Sequence, residues 1–161
     1  MEIRPFAAAD WPQVWPIVRE IVQAQDTYTY DPTMTEDQSK DMWVERPPAL
    51  TVVADDGGRV LGTAKMGANR AGPGAHVATA SYMVAAQARG RGVGTALCEF
   101  SLAWARAQGF AGMQFNAVAA TNRSAIQLYE RLGFSTIGTV PGGFQHPEQG
   151  FVGLHIMYCQ F

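Results

Sequence analysis

The sequence lacks the features that mark several classes of protein. It has only two cysteines in 161 residues, and Cys98 and Cys159 are too far apart for a disulfide framework or a zinc motif. The sequence contains twelve Lys and Arg residues and fourteen Asp and Glu residues, which gives a formal net charge of −2. This balance argues against a nucleic-acid or anionic-membrane partner. No apolar run approaches the roughly 20 residues of a membrane span.

The chain begins without an apolar segment after a basic start, so we expect no signal peptide and a cytoplasmic, reducing location. With 161 residues, 47% of them hydrophobic, it is long enough to form one domain over 1–161 with its own core. No internal repeat or long linker divides it.

The periodicity of apolar residues predicts seven strands and four helices. The strands are expected over 2–6, 50–54, 60–67, 76–84, 113–118, 134–140 and 151–159. The helices are expected to start at an Asp10 cap and then to span 35–45, 93–109 and 122–133, with a Gly/Pro/His loop over 141–150. This order predicts an α+β, or mixed α/β, fold with one sheet and helices on both faces.

The stretch QARGRGVGTAL, residues 87–97, links a predicted strand to a predicted helix. Backbone N–H groups at a helix start lack intrahelical partners, and the helix dipole favours an anion there. The guanidinium groups of Arg89 and Arg91 suit phosphate. The spacing matches neither a Rossmann fingerprint nor a P-loop. We interpret the stretch as a pyrophosphate cradle; an empty glycine-rich turn is the alternative. The cradle comprises Arg89, Gly90, Arg91, Gly92, Val93, Gly94 and Thr95.

A second motif, NRSAIQLYERLGF, spans residues 122–134. Its Asn122, Tyr129 and Gly133-Phe134, together with the R-x-x-G-x-G spacing of the cradle, resemble the GCN5-related N-acetyltransferase (GNAT) family. The resemblance covers roughly residues 2–160. It implies the GNAT fold, a mostly antiparallel seven-stranded sheet flanked by about four helices.

The resemblance also implies an enzyme that moves an acetyl group from acetyl-coenzyme A (acetyl-CoA) directly to an amine. In this family a backbone N–H of strand four, here that of Met83 or Val84, polarises the thioester carbonyl. Tyr129 matches the general acid for the leaving thiolate. Asn122 matches the residue that contacts the pantetheine arm or orders water. Cys98 needs no catalytic role.

The general base is left open by the sequence. Many relatives carry a carboxylate on strand four, whereas HVATASYMV carries none. Ordered water could accept the proton of the acceptor amine. Three isolated histidines, His76, His146 and His155, are alternatives for which a structural role is favoured, and their spacing suits no metal site.

The family's acceptor pockets use the loop between the first two helices, strand four and the loop before the last strand. The candidate substrate residues here are Tyr28, Tyr30, Thr79, Tyr82, Asn116 and Phe144. This aromatic, nearly neutral set favours a small amino acid or analogue over a polycationic amine. Packing of the tyrosines onto the core is the alternative.

The Asn116 and Asn122 pair resembles proline-analogue N-acetyltransferases, and TYTYDP resembles phosphinothricin-type enzymes. Thr79 and Tyr82 depart from the proline-analogue pattern. Two other functions stay open: acetylation of a protein N-terminus or lysine, and a non-catalytic CoA-binding sensor. The resemblance also allows a homodimer through sheet edges or the C-terminal strand.

Overall fold

The computed structural model describes residues 1–161, in which seven strands and four α-helices follow one another in the predicted order. The strands are β1 (Glu2–Pro5), β2 (Leu50–Asp56), β3 (Arg59–Ala68), β4 (Val77–Val84), β5 (Gly112–Ala119), β6 (Ser135–His146) and β7 (Gly150–Gln160). The helices are α1 (Trp11–Ala24), α2 (Glu36–Trp43), α3 (Val93–Ala107) and α4 (Arg123–Arg131). The predicted α+β class is therefore confirmed.

All seven strands form one sheet in the order β1-β2-β3-β4-β5-β7-β6. Every neighbouring pair is antiparallel except β4 and β5, which run parallel. These two strands pair only through Val77 with Gly112 and Ala78 with Met113. Both strands continue well beyond these pairs, so they diverge and leave a wedge-shaped gap between their C-terminal halves.

The helices form because their apolar residues recur at helical spacing and find a buried surface. On α1 the buried positions include Val14, Ile17, Val18 and Ile21. The helix α3 packs against β3 and β4, which places its first turn beside the end of β4. No helix combines the length and the apolar character that crossing a membrane requires.

Asp10 occupies the N-cap position of α1, as expected, but it has helical backbone angles and its side chain makes no capping hydrogen bond to that helix. Its carboxylate instead accepts a hydrogen bond from the N–H of Ala7 and pairs with the guanidinium of Arg4 at 2.8 Å. Asp10 therefore ties the first strand to the start of the helix.

The prediction of a loop over 141–150 is wrong, because β6 continues through most of this segment to His146. The strand lies at the edge of the sheet, where proline is tolerated since one side of the backbone needs no partner. A register shift between Val140 and Phe144 absorbs Pro141 and the two glycines that follow it. Only a short turn, 147–149, joins β6 to β7.

Candidate active site

A cleft of about 990 Å³ opens where β4 and β5 diverge. Its walls come from the loop between α1 and α2, from β4, from the first turn of α3, from the end of β5 and from α4. The volume is at the upper end of the range for small-molecule and cofactor sites. The cleft therefore brings the two sequence motifs and the acceptor loop together.

The first turn of α3 supplies a row of unused backbone donors. Gly92 caps the helix with a φ of 79°, and Gly90 has a φ of 73°; both values lie in the left-handed region that favours glycine. No backbone acceptor engages the N–H groups of Gly90, Gly92, Val93, Gly94 or Thr95. Five free donors at the positive end of a helix dipole form an anion site.

The cationic side chains of the cradle do not all reach the cleft. Arg89 lines it, as does Arg131 at the end of α4. The guanidinium of Arg91 instead lies 3.5 Å from the carboxylate of Asp56 on the β2–β3 hairpin, and the N–H of Arg91 bonds to Ala88. The side chain of Arg91 thus turns toward the hairpin here, and its role in binding the cofactor stays a prediction.

The direction of the backbone along β4 decides which N–H groups face the gap. The N–H of Asn69 donates to the carbonyl of Val77, and the N–H of Ala85 donates to the carbonyl of Leu61. Because the backbone groups of successive residues alternate in direction along a strand, the N–H and carbonyl of Met83 point toward β3, opposite Thr63. The N–H and carbonyl groups of Tyr82 and Val84 point into the gap. Met83 is also only 1% exposed, so its predicted role as the thioester donor is wrong, whereas Val84 lines the cleft.

The helix α4 carries the second motif into the cleft. Asn122 caps this helix as expected: its side-chain oxygen accepts a hydrogen bond from the N–H of Ala125 at 3.3 Å. Since the oxygen is engaged, the side-chain NH₂ of Asn122 is the group available to a ligand. Asn122 and Tyr129 both line the cleft.

Aromatic rings hold Tyr129 in place. Its ring lies 4.5 Å from that of Phe115, 5.9 Å from that of Phe134 and 6.1 Å from that of Tyr82. Its hydroxyl makes no hydrogen bond within the protein. Burial, and secondarily the nearby Cys98, raise the pKa of Tyr129 above its usual range. The phenol therefore carries its proton at neutral pH and is a free donor in the cleft.

Cys98 is unsuited to act as a nucleophile. It is fully buried on α3, and burial raises its pKa to about 12. Because the thiolate is the reactive form of cysteine, this side chain stays a neutral thiol at neutral pH. Cys98 and Cys159 are both free and buried.

The acceptor end of the cleft is polar but almost uncharged. Five of the six predicted substrate residues line the cleft: Tyr28, Tyr30, Thr79, Tyr82 and Asn116. The amide of Asn116 donates to Asn69 at 2.6 Å and accepts from Gln114 at 2.8 Å. The role predicted for Phe144 is wrong. Because β6 continues through this region, Phe144 is part of the strand, is paired with Val152 of β7 and is only 5% exposed.

His146 and Asp26 also lie at this end of the cleft. The ring nitrogen Nδ1 of His146 lies 3.2 Å from the N–H groups of both Glu148 and Gln149. Nδ1 accepts these hydrogen bonds and is therefore engaged within the turn between β6 and β7. Asp26 is the only carboxylate that lines the cleft.

The sequence analysis did not single out several residues that line the cleft, among them Thr121, Ser124, Arg131 and Gln149. Thr121, Ser124 and Arg131 could have been found, because they lie within or beside the second motif. Gln149 could not, because only the pairing of β6 with β7 brings its turn to the cleft. The hydroxyl of Thr121 is buried and has no partner within the protein.

The motifs, the gap between β4 and β5 and the free donors of α3 agree with one family. Residues 15–134 match the sequence profile of the Acetyltransferase (GNAT) family. The chain belongs to this family. The GNAT fold predicted from the two motifs is thus confirmed, and so is the prediction that the chain is an acetyltransferase.

Solved and curated relatives agree with this placement. A GCN5-related N-acetyltransferase from Kribbella flavida is 52% identical, with a TM-score of 0.97 over 99% of this GNAT chain and 97% of its own. The N-acetyltransferase aca1 of Schizosaccharomyces pombe is 26% identical, over 87% of this chain and 75% of aca1. A phosphinothricin acetyltransferase (Pat) from Sinorhizobium meliloti, solved with acetyl-CoA, is 26% identical, with a TM-score of 0.85 over 99% and 88% of the two chains.

Proposed function

We propose that this GNAT enzyme transfers the acetyl group of acetyl-CoA directly to the amine of a small molecule, an amino acid or an amino-acid analogue. The observation that carries the proposal is the continuity of the cleft. It runs from the free donors of α3, past the free phenol of Tyr129, to a neutral polar end beside β4.

The residues present fit acetyl-CoA. The five free N–H groups at the start of α3 and the side chain of Arg89 suit a pyrophosphate. A Cβ atom added at Gly90 or Gly92 would meet nothing within 4 Å, so the cradle has room for a ligand at both positions. The N–H of Val84 faces the gap, where the pantetheine arm would lie, and Tyr129 supplies the proton for the departing sulfur.

The acceptor end supports a small neutral or weakly charged amine. Thr27, Thr29, Ser81 and Asn116 supply hydroxyl and amide groups, while Asp26 is the only carboxylate. A polyamine or aminoglycoside would be matched by several carboxylates. Among relatives, the Sinorhizobium meliloti protein is named for phosphinothricin, an amino-acid analogue, which supports the same class of acceptor.

The experiment that tests this function measures release of free thiol from acetyl-CoA in the presence of different amines. The amines are free amino acids, proline analogues, phosphinothricin, a polyamine, an aminoglycoside and an N-terminal peptide. We expect acceptor-dependent thiol release with an amino acid or analogue and little with the two polycations. Boiled enzyme and acetyl-CoA without an amine give the background.

Two outcomes would contradict the proposal in different ways. Release with the peptide alone would keep the transferase and replace the acceptor class with a protein N-terminus. If no amine releases thiol and acetyl-CoA does not raise the melting temperature, the cofactor assignment itself is wrong.

A homodimer, which the family resemblance allows, stays a proposal, supported by the outer edge of the sheet. The edge strand β6 and its neighbour β7 expose Ile137 by 59%, Val140 by 49% and Phe151 by 75%. A second copy of this chain along β6 would cover these side chains and pair the free edge. Sedimentation velocity at rising concentration tests the proposal, since a purely monomeric chain would contradict it.

A further inference from the structure

Two cationic side chains without a protein partner line the cleft. Arg89, after β4, and Arg131, in the last turn of α4, are the arginines among its lining residues, and no lysine lines it. The ion pairs of the protein use Arg4, Lys65, Arg91 and the N-terminus instead. The proposed pyrophosphate site accounts for Arg89, whereas the function of Arg131 is still unassigned.

The helix α4 presents two adjacent rows of side chains to the cleft. Ala125 and Tyr129 form the inner row and are partly buried. Ser124, Leu128 and Arg131 form the outer row, because residues three or four apart lie on one helix face. Ser124 and Arg131 are exposed to solvent. The outer row therefore forms the rim of the cleft.

Leu128 places this rim beside the first turn of α3. A Cβ atom added at Gly94 would lie 3.8 Å from Cδ2 of Leu128, so the two helices are in contact at this point. Arg131 follows Leu128 one turn further along the same face of α4. Its guanidinium thus lies at the rim next to the pyrophosphate cradle, outside the row of free N–H groups.

The chemistry of coenzyme A (CoA) supplies an anion for this position. Besides its pyrophosphate, CoA carries a phosphate on the 3′ position of its ribose. The pantetheine arm has to enter the gap between β4 and β5 to bring the thioester to Tyr129, so the nucleotide half stays outside, at the rim. A phosphate monoester loses its last proton with a pKa of about 6, and a guanidinium donates paired hydrogen bonds to phosphate.

We infer that Arg131 binds the 3′-phosphate of CoA and makes the enzyme select CoA over 3′-dephospho-CoA. This inference rests on the proposed use of acetyl-CoA. The guanidinium is available for this role because Gln127 and Leu128, one turn before it on α4, carry no charge. The alternative is that Arg131 only stabilises the end of α4 by interacting with the helix dipole.

The test measures the Kd values of CoA and 3′-dephospho-CoA by isothermal titration calorimetry at about 0.1 M salt. We expect the parent protein to bind CoA roughly 3- to 10-fold more tightly, as for one charge-assisted contact at an exposed site. In Arg131→Gln the two constants should become equal, through weaker binding of CoA alone. Arg131→Lys keeps the charge but not the paired donors, so it should keep part of the preference.

Two further variants separate this contact from other effects of charge. Arg123→Gln removes the same side chain from the first residue of α4, outside the cleft, and should leave both constants unchanged. Arg89→Gln should weaken both ligands by the same factor, because both contain the pyrophosphate.

A second measurement follows the phosphate itself by ³¹P NMR. A nearby guanidinium favours the dianion, so the pKa of the 3′-phosphate should be lower in the complex with the parent protein than in free CoA. Arg131→Gln should reverse most of this change. An arginine that only stabilised the end of α4 would not alter the pKa of the ligand.

The inference is overturned if the parent protein binds both ligands equally well. It is also overturned if Arg131→Gln weakens both by the same factor, because Arg131 would then act on the pyrophosphate or on the fold of α4. If neither ligand binds the parent protein, the cofactor assignment itself is wrong, and that result is distinct from the loss of a preference between the two.

Discussion

Replacing Tyr129 with phenylalanine is expected to lower turnover by roughly 10²–10⁴-fold, the usual contribution of a positioned general acid. The change removes only the hydroxyl, which is free of protein partners in the cleft. The ring contacts with Phe115 and Phe134 stay, so the fold and the cleft should be unchanged. We therefore expect the Kd for acetyl-CoA to be unaltered.

The measurement is steady-state thiol release, with calorimetric binding of acetyl-CoA beside it. Tyr158→Phe is the matched control, because Tyr158 lies on β7 outside the cleft and loses the same atom. The control should keep full turnover. If Tyr129→Phe retains the parent rate, another group or water protonates the thiolate and Tyr129 has no part in the chemistry.

The second large effect is expected at the cradle. Gly92→Asp should raise the Kd for acetyl-CoA by at least about 100-fold, which corresponds to roughly 2.7 kcal/mol. The new carboxylate would project from the cap of α3 into the open space where the pyrophosphate is proposed to lie. A negative charge there repels the phosphates and takes the free N–H groups for itself.

The control separates charge from backbone strain. Gly57 has a φ of 64° in the β2–β3 turn, and a Cβ atom there would also meet nothing within 4 Å. Gly57→Asp therefore imposes a similar left-handed strain away from the cleft, and it should lower the melting temperature without changing the Kd. Should Gly92→Asp keep the parent affinity while folded, the pyrophosphate lies elsewhere.

The features that could be predicted from the sequence are those set by residues close to one another along the chain. A glycine with positive φ, a helix cap and the start of a helix depend on residues close along the chain. The cradle at Gly90–Thr95 and the Asn122 cap of α4 could therefore be predicted. The same holds for the order of strands and helices, since apolar periodicity is also local.

Other features depend on which segments meet. The loop predicted over 141–150 is strand because β7 offers it a partner at the sheet edge, which the local Pro and Gly residues do not reveal. Phe144 is buried for the same reason. Arg91 turns to Asp56 because the β2–β3 hairpin lies beside the cradle.

By itself, the sequence determined the family, the glycine-rich turn that opens α3 and the position of Tyr129 on α4, because each rests on a short motif with local geometry. Only the tertiary structure decided the direction of the β4 backbone groups. The register of β3 against β4 turns Met83 away from the gap and Tyr82 toward it. The meeting of Tyr28 with Tyr82, 54 residues apart, likewise arises only when the loop after α1 folds over the sheet, since no local pattern encodes a contact between distant segments.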